Sequence, residues 1–470
     1  MSSRTKKPTP LSGFPEWLPA ERLVEQYVLD HLRSVFELHG FAPVQTRAVE
    51  PLEWLLSKGE TDKEIYLLQR LQAEAEPSGS GGPGGPGDPG TGDKDFGLHF
   101  DLTVPFARYV LENAGKLQFP FRRYQIQPVW RGERPQEGRY REFIQADIDV
   151  VDRDRLSFQY EVELPLVIAE ALGGLPLPGG FDPPITILTN NRKISEGFYR
   201  GLGITDVTGV LRAVDKLDKI GADAVVDLLT ETVGCSKEQA DACVRLARIT
   251  TTDDSFTERV AELGVRHELL DQGLEELARV VRTAAEHAPG LLVADLRIAR
   301  GLDYYTGTVY ETLLRGREGL GSVCSGGRYD ALASDGRTSY PGVGLSIGVS
   351  RLLVPLLNAG ELVASRSTPS CVLVALPDEE QRNECLRIAS MLRGRGIPTE
   401  VAPEPSKYGK QIRYADRRGI PYVWFPQPAG GEVRDIRSGE QLAADPVTWT
   451  PPEEDLRPTI RVNDGVKEIS

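Results

Sequence analysis

The chain lacks most of the features that would tie it to a metal, a membrane or an oxidising compartment. Its 470 residues include only five cysteines, Cys235, Cys243, Cys324, Cys371 and Cys385. The number is odd and none forms a CxxC pair or a Cys/His cluster, so neither a disulfide framework nor a structural zinc site is expected. Cys324, beside a glycine pair, reads as a small buried hydrophobe rather than a reactive thiol. No apolar run approaches the roughly 20 residues a membrane helix needs, and MSSRTKKPTP at the start has no signal-peptide core. A cytoplasmic protein without membrane association is expected. Excess positive charge is also missing: 55 Lys+Arg against 69 Asp+Glu give a net charge of −14. Non-specific nucleic-acid binding comes mainly from cations neutralising phosphates, so indiscriminate binding is excluded. A local basic face for one RNA is not, and KYGKQIRYADRRG at Lys407 to Gly419 supplies such a face.

What is present is an ordinary globular composition, 40% hydrophobic and 26% charged, long enough for two or three domains of roughly 100–200 residues. Glu21 to Gly40 has helical periodicity, with Val24, Tyr27, Val28, His31, Val35 and Leu38 on the apolar face. Glu76 to Asp93, EPSGSGGPGGPGDPGTGD, cannot bury enough apolar surface to offset its ordering entropy and reads as a disordered surface loop. It lacks the Lys-Ser/Thr end of a phosphate-cradling P-loop. GLHFDLTVPFARYV, from Gly97 to Val110, alternates like a strand and then turns helical. From about residue 190 to 289 helical periodicity dominates, as in GADAVVDLLTETVG. LNAGELVASRSTPS, Leu357 to Ser370, reads as a linker. Beyond it, apolar runs CVLVAL and PYVWF alternate with helical stretches, the pattern of a small α/β domain with a mostly parallel sheet.

Chemistry concentrates in Phe121 to Val150, FRRYQIQPVWRGERPQEGRYREFIQADIDV. Guanidinium forks suit phosphate, whereas the interspersed Glu133, Glu137, Glu142, Asp147 and Asp149 suit a cationic group. An amino acid plus ATP meets both demands. Gln145 and Asp149 lie two strand repeats apart and share a face. Arg122, Arg123 and Arg141 fit a solvated or RNA-facing role at least as well as a catalytic one. Gly326 and Gly327 would let backbone approach a ring or bend an edge strand, or would simply make a tight turn. Gly344 and Gly348 read as the start of a helix next to a nucleotide.

The same stretch resembles motif 2 of the class II aminoacyl-tRNA synthetases. RGLDYYTGTVYE at Arg300 to Glu311, SGGRYD at Ser325 to Asp330 and GVGLSIGVSRLL at Gly342 to Leu353 are similar to the signature, glycine-turn and motif 3 blocks of the histidine family. The resemblance runs from about Glu21 to about Gln441. It implies an α+β catalytic domain over residues 1–357, an antiparallel sheet flanked by helices, with an α-helical insertion at about 190–289. A C-terminal α/β anticodon-binding domain over 369–470 is implied too, the segment RDIRSGEQ at Arg434 to Gln441 included. The implied reaction is activation of L-histidine by ATP with Mg2+, no metal being fixed by the protein, followed by transfer to tRNA-His by a homodimer. Arg131 would bridge substrate carboxylate and α-phosphate, Arg300 would contact the α-phosphate, and Arg351 would lie on the γ-phosphate side. Phe143 would stack under adenine, with Glu133 also at the nucleotide. Asp101, Leu102, Thr103 and Gln145 would hold the amino-acid end, while Asp149 and Tyr304 or Tyr305 would meet the imidazole nitrogens. Arg134 and Gln136 would read the tRNA acceptor end. Buried polar groups of this kind reject near-isosteres by about 10⁴–10⁵, so no editing domain is needed. Two positions depart from the family pattern: Arg47, where proline is usual, and Ser350, where glutamate is common.

Two other readings fit parts of the pattern. A histidine-binding regulatory paralogue would lack the RGLDYYTG signature and the anticodon domain, both of which are matched here. A tRNA-independent histidine-adenylating ligase would not need the basic segment Lys407 to Gly419. The loop supplies a direct test of composition against chemistry. Deleting Gly79 to Gly92 is expected to leave histidine-dependent exchange of pyrophosphate into ATP close to wild type; a folded but inactive deletion would place a function there.

Overall fold

Two ten-residue strands, β1 (Phe121–Trp130) and β2 (Glu142–Val151), form the hairpin around which most of the chain is organised. In β2 every residue from Gln145 onward is buried, so this strand lies inside a sheet and is not an amphipathic edge. The computed structural model describes residues 8–56, 64–69, 95–135, 138–298, 304–334, 336–427 and 430–463. The Gly/Pro-rich loop expected at residues 76–93, Gln136 and Arg300 lie outside the described residues. The chain divides into two units, Met1–Pro15 with His31–Leu175 and Gly179–Pro355, and Glu16–Asp30 with Pro176–Pro178 and Leu356–Ser470.

In the first unit, β3 (Ile185–Asn191), β4 (Tyr305–Leu314), β5 (Cys324–Tyr329) and β6 (Gly342–Gly348) complete the sheet. The spatial order is β1-β2-β6-β5-β4-β3, with every neighbouring pair antiparallel. Ala42–Pro43 beside β1 and Leu292–Asp295 beside β3 pair in parallel and extend the two edges. Helix α1 (Pro19–Leu38) occupies the segment whose periodicity was helical. Its buried stripe is Val24, Val28, Leu29, Leu32, Val35 and Phe36, while Tyr27 and Leu38 are exposed. The face is therefore rotated from the expected one, because the Val28, Leu32, Phe36 series at four-residue steps outweighs the series through Tyr27. Helix α2 (Thr103–Asn113) precedes β1, and helix α3 (Gln159–Gly173) follows β2. Arg192 to His287 is mainly helical, enclosing a core that includes Phe198, Leu211, Phe256 and Leu277. Helix α4 (Val349–Asn358) begins directly after β6.

Arg47 has a structural role of its own. It meets Glu50 at 3.0 Å, and Glu50, fully buried, is also paired with Arg108 of α2 at 2.8 Å. A charge buried this deeply is tolerated only when paired, and Arg47 adds a second cation. Ser350 in turn accepts a hydrogen bond from the Ile144 backbone N–H at 3.0 Å, tying α4 to β2.

The second unit carries α5 (Arg382–Gly394) and α6 (Tyr408–Arg418) with a five-stranded sheet. Its strands are β7 (Val372–Val374), β8 (Thr399–Val401), β9 (Tyr422–Gln427), β10 (Gly430–Asp435) and β11 (Gln441–Ala443). The order is β8-β7-β9-β10-β11: the first three are parallel and the last two antiparallel, around Leu373, Ile388 and Trp424. The segment expected as a linker is not wholly irregular, since Leu362–Ala364 pairs antiparallel with Ile460–Val462. No described helix is long and apolar enough to cross a membrane.

The glycines correct the sequence reading. Gly326 and Gly327 form neither a turn nor an edge: they sit inside β5, flanked by β4 and β6. Gly344 is in the strand β6 and not at a helix start. A β-carbon on Gly326 would lie 1.9 Å from the Gly344 carbonyl oxygen. The contact is with backbone, which cannot rotate away. Gly326→Ala is expected to cost about 1–3 kcal/mol, the usual range for overpacking, seen as a lower thermal midpoint; an unchanged midpoint would show that the strands can part freely.

Candidate functional site

Register across the central strands builds one polar face. Arg123 of β1 pairs with Asp149 of β2, which pairs with Gly344 of β6, which pairs with Gly327 of β5. The next row on the same face is Gln125, Asp147, Ser346 and Ser325, followed by Gln127, Gln145 and Gly348. Residues opposite one another on a face are about 5 Å apart, so small residues on β5 and β6 leave space above the long side chains of β1 and β2. Gly344 is needed directly: its β-carbon would fall 1.9 Å from Asp149 Oδ1.

One end of this face opens into a cavity of about 330 Å³ lined by Arg131, Glu133, Phe143, Gln145, Gly348 and Arg351, among others. Arg131 follows β1, donates from Nε to the Phe100 carbonyl at 3.0 Å, and holds its guanidinium 5.1 Å from the Phe143 ring centre. Glu133 Oε1 is 3.8 Å from Arg131. Arg351, in the first turn of α4, donates from Nε and Nη2 to the Leu320 carbonyl at 3.2 and 3.0 Å. Gln145 donates to Ser346 Oγ at 2.8 Å. Glu64, which no motif pointed to, lines the same cavity. Burial pushes its carboxyl above the usual range, opposed by Arg131 and reinforced by Glu133 and Asp101. Arg134 is exposed, in the connection between β1 and β2. Among the described residues no cluster of acidic, His and Cys side chains could hold a metal by itself.

The other end is narrower and ionic. Arg123 has no exposed surface, and its Nη2 is 2.6 Å from Asp149 Oδ2 and 4.0 Å from Asp147 Oδ2. Its guanidinium also lies over Phe106 at 4.2 Å. A solvated or RNA-facing role for Arg123 is thereby overturned, because the cross-strand carboxylate draws it into the sheet. Arg122 is also engaged, with Glu163 and over the Phe41 ring at 4.5 Å, and Arg141 donates to the Glu133 carbonyl at 3.3 Å. Asp149 accepts from the Tyr329 hydroxyl at 2.8 Å. Thr103, Asp149, Tyr305 and Tyr329 line a small cavity together with Asp147. Tyr304 and Tyr305 have ring centres 4.2 Å apart. Asp101 accepts from the Val104 N–H at 3.1 Å, holding the start of α2, while Leu102 turns its side chain into the core. Cys324 is buried, and burial raises its thiol far beyond reactive range.

Asp147, which the sequence marks only as one of the carboxylates suited to a cationic group, and Tyr329 belong to this group too, though neither is given a role of its own from the sequence. Asp147 could have been: it stands midway between Gln145 and Asp149, and period two puts all three on one face. Tyr329 reaches Asp149 only through pairing of β5 with β6.

The histidyl-tRNA synthetase family profile matches residues 88–352 and the anticodon binding domain profile matches residues 370–425. A histidine–tRNA ligase from Micrococcus luteus is 62% identical, covering 96% of this chain and 98% of its own. One from Cutibacterium acnes is 58% identical over the same shares. The crystal structure of histidyl-tRNA synthetase from Nostoc sp. PCC 7120 superposes with a TM-score of 0.80 at 34% identity, covering 94% of this chain and 97% of that one. A structure described as an ATP phosphoribosyltransferase regulatory subunit/histidyl-tRNA synthetase, from Bacillus halodurans, has a TM-score of 0.67 at 17% identity, covering 88% and 97%, a likeness of fold alone. With near full-length identity to ligases and both profiles in order, the chain belongs to the histidyl-tRNA synthetase family, a class II catalytic domain joined to an anticodon-binding domain.

Proposed function

We propose that the larger cavity takes ATP, that the narrower ionic end takes the histidine side chain, and that the reacting atoms meet near Arg131 and Gln145. The observation that carries this reading is the lining of one cavity by Arg131, Phe143, Gln145 and Arg351, from segments far apart in sequence. In the first half-reaction the histidine carboxylate attacks the α-phosphorus of ATP and pyrophosphate leaves, giving histidyl-adenylate. In the second, a terminal ribose hydroxyl of tRNA-His attacks the carbonyl carbon and AMP leaves. Two anions must be brought together in the first step, so fixed positive charge is the main requirement. Arg131 bridges carboxylate and α-phosphate, Arg300 supplies further charge at the α-phosphate, and Arg351 holds the distal phosphates. Phe143 stacks under adenine, with Glu133 beside the nucleotide.

Asp101, Thr103, Gln145 and the backbone at Leu102 hold the α-amino end, whereas Asp149 with Tyr304 and Tyr305 meets the ring. Glu64 and Glu133, both lining the cavity, are the carboxylates that would hold a phosphate-bound Mg2+, which would offset the phosphate charge. Arg134 and Gln136 read the acceptor end of the tRNA. The basic helix α6 serves the anticodon arm, within a domain spanning 369–470 that follows a catalytic domain of 1–357. A homodimer through the α1 region and a cytoplasmic location complete the reading.

Arg131→Ala tests the site: kcat for histidine-dependent pyrophosphate exchange is expected to fall by about 10²–10³, the usual cost of one such donor. A folded variant within a few-fold of wild type would refute the assignment. Truncation after Leu357 tests the domains. Pyrophosphate exchange is expected to survive while charging of tRNA-His falls steeply; a folded dimeric truncation that charges normally would remove the anticodon role from the C-terminal residues.

A further inference from the structure

Next to Asp149 lies a second carboxylate with an unused acceptor. Asp147 is 2% exposed, and its Oδ1 has no hydrogen-bond partner among the described residues. Buried acceptors are rarely left unmet without a functional reason. Asp149, by comparison, is committed on both oxygens, to Arg123 at 2.6 Å and to the Tyr329 hydroxyl at 2.8 Å. Both acids line the same small cavity of about 20 Å³ with Thr103 and Tyr305. That space suits the polar edge of a small ring, on the order of one water in size.

Charge points the same way. The groups facing Asp147 are Arg123 from β1, Asp149 from β2, Asp101 from the start of α2, Ser346 from β6, Cys324 and Tyr329 from β5, and Tyr305 from β4. One guanidinium stands against two adjacent carboxylates, with a third nearby. We infer that Asp147 is a second ring-recognition residue: its free Oδ1 accepts from a ring N–H of histidine, which binds as the doubly protonated imidazolium and completes the charge of the Arg123–Asp147–Asp149 group. This rests on the reading that the ring lies at Asp149. Without a ligand, burial pushes the Asp147 carboxyl up to about 7, with Arg123 lowering it and Asp149 raising it. The proton that neutralises the empty site thus moves to the ring when histidine enters.

A free imidazole is neutral above about pH 6.5. From there to about pH 7, binding transfers the proton within the site. At higher pH neither partner carries it, and each complex takes one proton from solvent. Affinity should therefore fall by about tenfold per pH unit above about 7.

The experiment measures KM and kcat for histidine in pyrophosphate exchange between about pH 7 and 8.5, using the full-length protein, Asp147→Asn and Asp149→Asn. It also compares histidine with 2-fluorohistidine, whose ring is too weakly basic to protonate in this range. In the wild type, KM is expected to rise about tenfold per pH unit with kcat little changed, and 2-fluorohistidine is expected to be used poorly. Asp147→Asn should raise KM at neutral pH, flatten the profile and narrow the difference between the two amino acids. A flat wild-type profile with equal use of 2-fluorohistidine overturns the inference without any variant. So does a folded Asp147→Asn protein with wild-type KM and profile when Asp149→Asn is impaired, which leaves the ring at Asp149. If both folded variants keep wild-type KM, the reading of this end as the ring site fails as well.

Discussion

A guanidinium with no exposed surface is the constraint on which the substrate face depends. Arg123 is drawn into the sheet by Asp149 directly across the hairpin, with Asp147 one row away and Phe106 beneath its plane. Burying such a charge costs several kcal/mol unless partners return most of it. Each neighbour is fitted to that need. Tyr329 donates to the carboxylate oxygen opposite the ion pair, and the missing side chain of Gly344 makes room for it. Removing any one of these would leave a charge or a polar atom stranded in a dry interior.

The two ends of the face are coupled through β2. Phe143 and Gln145 belong to the larger cavity, whereas Asp147 and Asp149 belong to the narrower end, all within one strand. Ser350 fastens α4 to the same strand, and Arg351 is the next residue. Arg351 is itself held by the carbonyl of Leu320. The spacing between the cavity arginines and the buried acids is therefore set by strand geometry, about 3.4 Å per residue, and not by loop conformations.

The strands and helices were legible because their signals are local. The hairpin β1–β2, the strand-to-helix change before α2, the helical stretch between β3 and β4 and the alternating C-terminal elements all follow from periodicity. Failures occurred where the deciding partner is distant in sequence. Arg123 stays ambiguous between a solvated or RNA-facing role and a catalytic one, because nothing near it in sequence shows that Asp149, 26 residues on, lies opposite. For Gly326 and Gly327 the sequence leaves a turn, a bent edge and a close backbone approach open, because a glycine pair carries the same local signal whether the chain bends or a neighbouring strand comes close. Gly344 was read as helical because the helix does start a few residues later, at Val349. In α1 two overlapping apolar series compete, and only packing chooses between Tyr27 and Leu32. Arg47 and Ser350, noted as departures from the family pattern, turn out to have their own partners in Glu50 and Ile144.

The contact between Gly344 and Asp149 also limits how this enzyme can change. Because the carboxylate fills the volume a β-carbon at 344 would need, the two positions form one heritable unit. Any side chain gained at 344 demands a shorter residue at 149, and shortening 149 first strands Arg123 without its charge partner. Either order passes through a damaged intermediate, so stepwise mutation is blocked along this route. New substrate preference has to enter instead through Thr103, Tyr305 or Ser346, which border the same cavity without holding the buried cation.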